Sequence, residues 1–178
     1  MLRSLMMLNR VVIVFGLAVT AAGCGYHRVA TGNSLPPYIK TIAVPTFKNS
    51  SLDYRVEQRF TLAVMDEILR RGRRLNVTSH TEGADAILTG DIKRFRTQGS
   101  ILDSQGRTRV WQVTITVAVT LRDMKTRKII YENPGIAFTG DYELSDDPRS
   151  FFNEQNPAVD RIAKEFAQSI VTTIMEGT

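Results

Sequence analysis

Residues 113–121 alternate large aliphatic side chains with threonine or alanine. Val113, Ile115, Val117, Val119 and Leu121 hold one set of positions. Thr114, Thr116, Ala118 and Thr120, followed by Arg122, hold the other. A helix would scatter both sets around its circumference, whereas a strand sends successive side chains to opposite faces. The chain is therefore committed to a sheet with one buried face and one wetter, threonine-rich face.

The neighbouring segments fit around that strand, which the pattern places over residues 109–123. Asp123, Met124, Lys125 and Thr126 turn the chain into a hairpin partner over 128–138. Residues 86–96 and 75–79 read as further strands, and 39–47 as the first. Pro45 has no N–H for a ladder, so it marks an edge or the end of that first strand. Two segments carry helical periodicity instead. Over residues 53–71, Val56, Phe60, Ala63, Val64 and Ile68 fall on one stripe, with Asp53 as the expected N-cap and Gly72 just past the end. The last helix is expected to start at Asn156 as N-cap with Pro157 in its first turn, and its stripe is Val159, Ile162, Ala163, Phe166, Ile170 and Ile174. Residues 142–156 read as loop. The order predicts an α+β fold (an α/β sandwich), with two helices on one face of a mixed, mostly antiparallel sheet of about four to five strands.

The N-terminal segment is of another kind. Arg3 and Arg10 precede twelve uncharged, mostly apolar residues, 11–22, too few to span a hydrocarbon core of about 30 Å. Small residues, Ala21, Ala22 and Gly23, lead to Cys24, the only cysteine of the 178 residues. A lone cysteine forms no internal disulfide, and this placement matches a bacterial lipobox, whose cysteine sulfur carries a diacylglycerol. Residues 1–23 are thus expected to be a signal peptide, 24–37 a lipid-bearing tether and 38–178 a single domain. The full chain carries 23 Lys and Arg against 18 Asp and Glu, net +5. Without Arg3 and Arg10 the balance is 21 against 18, or +3, which permits an anionic partner without requiring one and makes nucleic acid improbable.

Few residues invite chemistry. The two histidines, His27 and His80, lie far apart and lack further cysteines, so no metal is expected. Asp66 and Glu67 read as a solvated helix face, and Asp146 and Asp147 as turn acids before Pro148. Gly83 and Gly90 flank a strand without making a phosphate loop. No catalytic residue and no cofactor is expected. Basic residues stand out more. Lys93, Arg94 and Arg96 leave one strand while Arg107 and Arg109 enter the next, so a hairpin would gather five cations and Phe95 near one end of the sheet. Arg122, Lys125, Arg127 and Lys128 surround the following turn at the opposite end. Either group suits an anionic lipid head group, and either also serves to protect sheet edges from aggregation.

Read in order behind the lipobox, CGYH, LPPYIKTIAVPTFKN, YRVEQRFTLAVMDEI, ADAILTGDI, VWQVTITVAVTLRD and KTRKIIYE resemble the lipopolysaccharide-assembly lipoprotein (LptE-like) family over residues 24–142. The resemblance implies a small α/β sandwich on the inner leaflet of the outer membrane. It implies a large β-barrel lipopolysaccharide translocon (LptD-like) as the partner whose lumen is plugged, and lipopolysaccharide bound through basic residues. Lys93, Arg94, Arg96, Arg107, Arg109, Lys125, Arg127 and Lys128 are the candidates for that contact. Gly25 after the cysteine fits outer-membrane sorting. Two other classes remain open on sequence: an anchored component of another envelope secretion or trafficking complex, and a lipoprotein enzyme.

Overall fold

In chain order the elements are β1 (Thr41–Ala43), β2 (Lys48–Asn49), α1 (Val56–Arg71), β3 (Asn76–Thr78), β4 (Ala86–Leu102), β5 (Thr108–Asp123), β6 (Ile129–Glu143) and α2 (Gln155–Glu176). They come from a computed structural model that describes residues 35–143 and 155–176, apart from 52, 54, 103, 105 and 107, and gives the backbone alone at 155 and 156. Cys24, His27, Arg107, Asp146 and Asp147 lie outside the described residues.

The alternating segment is β5, and its aliphatic positions from Val113 to Leu121 are buried while its threonines are half-exposed. It pairs antiparallel with β4 on one side and β6 on the other. Parallel strands extend the sheet beyond β4, giving the order β3-β1-β4-β5-β6, with β2 also paired to β4. Six strands form, against the four to five expected, because the chain pairs with β4 a second time at Lys48–Asn49, just past the expected first strand. Strand β1 stops at Ala43, Pro45 intervenes, and the short β2 resumes along the same strand. Residues 142 and 143, expected in a loop, continue β6 because Val110 and Trp111 are still there to pair with them.

The interruption at Pro45 turns Phe47 inward. Its backbone N–H donates to Thr61 Oγ1 at 2.9 Å, and its ring lies against Gly90. A Cβ at position 90 would meet that ring at 2.3 Å, so Gly90, which lies inside β4 rather than at its flank, is the residue that lets the two pack. Gly90→Ala is expected to cost about 1–3 kcal/mol by overpacking, read as a lower midpoint in urea with an unchanged slope.

Helix α1 buries Val56, Phe60, Val64 and Ile68, each worth roughly 1.5–3 kcal/mol against exposure. Its start differs from expectation. The N-cap is Arg55 in the left-handed region at φ 61°, without a side-chain capping bond. Asn49 fixes the approach instead: its Nδ2 donates to the Asp53 carbonyl and to Glu57 Oε2, both at 2.7 Å. Glu67 is also not on a solvated face. It is buried and clasped by Arg70 (2.6 and 2.9 Å) and Arg71 (2.5 Å), which hold its carboxyl below the usual value although burial pushes it up.

Helix α2 begins at Gln155, so Asn156 is already helical, and the whole expected stripe from Val159 to Ile174 is buried. Gly140 of β6 admits it closely, since a Cβ there would meet Ile162 at 2.8 Å. Arg59 pairs with Asp160 at 2.6 Å near the helix starts and Arg71 with Glu176 at 3.5 Å near the ends, so the two helices run in the same direction. Between helices and sheet, the Phe166 ring meets Phe60 at 5.1 Å, Phe138 at 5.6 Å and Phe47 at 6.2 Å. The core is one layer, and among the described residues no helix lies on the opposite face of the sheet.

Candidate functional site

That helix-free face is built by the positions alternate to the buried ones. Opposed residues share a face, so Gln98 with Gln112, Arg96 with Thr114, Arg94 with Thr116 and Thr89 with Thr120 all lie here. Strand β6 adds Asp141, Thr139 and Glu132. The face is laced across the strands: Gln98 Nε2 donates to Gln112 Oε1 at 3.2 Å, Gln112 Nε2 to Asp141 Oδ1 at 3.2 Å, and Thr114 and Thr139 hydroxyls meet at 3.3 Å. Such a surface offers hydrogen bonds in both directions along its length.

The first basic group is placed differently from expectation. Strands β4 and β5 do form a hairpin, but β4 continues to Leu102, so Lys93 and Arg94 stand near its middle. Arg94 lies opposite Thr116, seven residues along β5 from Arg109, or roughly 23 Å at about 3.3 Å per residue. Phe95 points to the other face and packs against the core. Lys93, an extra residue where the register slips, pairs with Asp91 at 2.7 Å. Asp91 also accepts from Ser50 Oγ at 2.8 Å, and these bonds hold its carboxyl low against the upward push of burial. What remains is a pair. Arg94 and Arg96 are exposed, share one face two residues apart, and have no hydrogen-bond or ion-pair partner among the described residues.

At the hairpin's far end, Gln98 through Leu102 are all exposed, including the large side chains Ile101 and Leu102. The Trp111 indole N–H, in contrast, is buried without a partner among the described residues.

The second basic group does gather, at the β5–β6 turn. The signal missed in the sequence is Asp123, which is only 2% exposed. It accepts from Lys125 N at 2.8 Å, Thr126 N at 3.2 Å, Thr126 Oγ1 at 2.7 Å and the Tyr38 hydroxyl. Those bonds, the Thr126 hydroxyl first, lower its carboxyl from 3.8 to about 2, and the bond to Asp123 raises the Tyr38 phenol. Arg127 closes the turn at φ 60°. Lys125 Nζ sits 4.8 Å from the Tyr38 ring centre, and Arg122 donates to the Arg127 carbonyl at 3.1 Å. Asp85 takes the Lys40 and Thr41 N–H groups at 2.8 and 2.9 Å and is likewise held low.

Asp123, Asp85, Asp91 and Glu67 all bind protons more weakly folded than unfolded. Their stabilisation is complete above the ordinary carboxylate values near 4 and is lost as pH falls toward the folded values, about 2 for Asp123. The melting temperature should therefore drop between pH 4.5 and pH 2, and Asp123→Asn should flatten that slope. An unchanged slope in the variant would assign the acid sensitivity elsewhere.

Among the described residues, no group of three His, Cys, Asp or Glu side chains is arranged to hold a metal, and no helix is long and apolar enough to cross a membrane. His80 is exposed beyond β3.

The fold is shared with solved structures of low identity. A lipoprotein from Caulobacter crescentus superposes with TM-score 0.53 at 17% identity, covering 73% of this chain and 88% of that one. PelC from Paraburkholderia phytofirmans, solved as a dodecamer, gives 0.55 at 13%, covering 84% and 95%. The Chlamydia trachomatis protein CT253 gives 0.52 at 10%, covering 76% and 97%. At such identities the likeness concerns the fold alone. No curated protein matches the sequence. A family match does reach the sequence itself. It runs over residues 39–174, past the 141–155 segment and through α2, well beyond the residues on which the resemblance rested. The chain accordingly belongs to the lipopolysaccharide-assembly family LptE.

Proposed function

We propose that this chain is a non-enzymatic outer-membrane lipoprotein. In this reading it is anchored through Cys24, seats in the lumen of a large β-barrel translocon of LptD type and assists lipopolysaccharide transport to the cell surface. The observation that carries the reading is the pair Arg94 and Arg96, which among the described residues stand unpartnered on a sheet face of cross-bonded glutamine and threonine side chains with no helix over it. Guanidinium forks match phosphate oxygens, and the surrounding polar ladder can hydrogen-bond the wall of a barrel. Lipopolysaccharide assembly as the family's activity supports the ligand. Lys93 is occupied by Asp91 and contributes less. Arg109, at the exposed hairpin end, would meet the partner.

Full-length protein expressed in membranes, extracted in mild detergent and captured, should retain a stoichiometric β-barrel identifiable by mass spectrometry. Recovery of a different envelope assembly with no barrel would overturn the reading and favour the other anchored-component class.

A further inference from the structure

Beside Arg94 the polar face of the sheet sinks into a hollow of about 440 Å³ that crosses β2, β4, β5 and β6. Its place follows from three departures from a regular sheet. Lys93 is an extra residue in β4, where the register slips between Ile92 and Arg94. Strand β6 has an extra residue of its own between Asn133 and Ile136. Both bulges fall beside Val117 and Ala118 of β5, and a bulge bends its strand. At the same level the threonine series of β5 is broken, since Ala118 stands between Thr116 and Thr120. A small floor between two bent strands leaves a volume within the range of small-ligand clefts.

The side chains around the hollow decide what chemistry it takes. Lys48 of β2 and Glu132 of β6 stand on opposite rims. Three strand spacings, roughly 14 Å, separate their backbones, so they do not neutralise each other. Neither has a hydrogen-bond or ion-pair partner among the described residues. Asp91 and Lys93 on the wall satisfy each other at 2.7 Å, and the Thr89 and Thr120 hydroxyls complete the lining. Two cations and two anions leave no net charge. A second phosphate would meet Asp91 and Glu132, and an acyl chain would shut the Lys48 and Glu132 charges away from water. An uncharged ring of hydroxyl groups fits, because it donates to the free carboxylate and accepts from the free ammonium.

We infer that the hollow between Lys48 and Glu132, floored by Ala118, holds a neutral sugar ring whose phosphate lies on Arg94 and Arg96. The inference rests on the reading above that this face receives lipopolysaccharide, and it names the part of the ligand that is recognised besides phosphate. Arg94 opposes Thr116 and Asp91 opposes Ala118, so the two contacts lie two residues apart along β5, about 7 Å. One phosphorylated sugar can therefore reach both. Phosphate without a sugar gains the arginines alone, and the hydrogen bonds of the hollow supply the discrimination. The hollow lies below the plane of the face, so its space stays open when the face is set against the wall of a barrel.

The test uses full-length protein in mild detergent, immobilised and loaded with purified lipopolysaccharide, with glucose 1-phosphate and inorganic phosphate as competitors at fixed ionic strength. Glucose 1-phosphate should displace the ligand at about one-tenth the concentration of inorganic phosphate, the advantage of one charge-assisted hydrogen bond. Ala118→Leu fills the floor, and Glu132→Gln removes one charge at an exposed position. Each should bring the two competitors within about two-fold of one another and leave the inorganic phosphate concentration unchanged. If Ala118→Leu lowers the melting temperature, Glu132→Gln decides. Equal displacement by the two competitors in the unsubstituted chain overturns the hollow and leaves the arginine site standing. Displacement by neither overturns the arginine site, and the hollow with it. A sugar preference that survives Glu132→Gln, with or without loss of a co-purifying β-barrel, assigns the ring to another place and overturns the hollow.

Discussion

Phe166→Ala should lower the free energy of unfolding by about 3–5 kcal/mol, the range for truncating a fully buried aromatic ring. The magnitude follows from its neighbours. Phe47 comes from the connection between β1 and β2, Phe60 from α1 and Phe138 from β6, and all three rings contact Phe166. Because they are held on three separate elements, they cannot collapse together into the vacated volume. A domain of this size should lose roughly 10 °C or more in melting temperature. Leu62→Ala, on the exposed side of α1, is the matched comparison and should stay within about 0.5 kcal/mol. A loss below 1 kcal/mol at Phe166, by thermal and urea unfolding, would show that the rings do not form the centre of the core.

The second large effect concerns binding. Arg94→Glu combined with Arg96→Glu should weaken binding of purified lipopolysaccharide at least about a hundred-fold, since each charge-assisted bond to phosphate is worth about 1.5–3 kcal/mol. Both side chains are exposed and unpartnered, so the melting temperature should barely move. Lys164→Glu, exposed on α2 and therefore across the core from that face, should leave affinity within about two-fold. Surface-immobilised protein titrated at fixed ionic strength reads all three. Equal losses in Arg94/Arg96 and Lys164 variants would reduce the effect to net charge and remove the site.

The long regular elements were legible because their burial is periodic. The stripe of α2 and the alternation of β5 each repeat one rule over many residues, and every predicted interior position of both is buried. Where one residue decides the geometry, sequence reading failed. Nothing local marks Arg55 as a left-handed N-cap or Asn49 as the residue that fixes the approach to α1. Residues 97–102 carry glycine and serine in their middle, which break the strand pattern, yet they pair because β5 is long enough to template them. That extension spread the first basic group along the strand, whereas the second held together because four of its residues share one turn. Asp123 looks like an ordinary turn acid until its partner at position 38, 85 residues away, comes into view. Glu67 escaped for the reverse reason: its charge suggested solvent, while the two arginines that let it be buried follow within one helical turn.

The position of Phe166 also sets the order in which this protein can be made. Phe47 and Phe60 lie more than 100 residues upstream of the ring they pack against, and Phe138 precedes it as well. A chain emerging from its N-terminus carries three of the four rings, and the β4–β5–β6 meander can form from local pairings, but the interior stays open until the last helix arrives. Until then the first helix is held only by its own bonds to the β1–β2 segment and by part of its apolar stripe, and the aromatic centre of the core stays unfilled. On the lipoprotein reading proposed above the chain crosses a membrane pore before it folds, and a core that closes only when a helix more than 100 residues downstream of Phe47 and Phe60 arrives delays folding until that passage is well advanced.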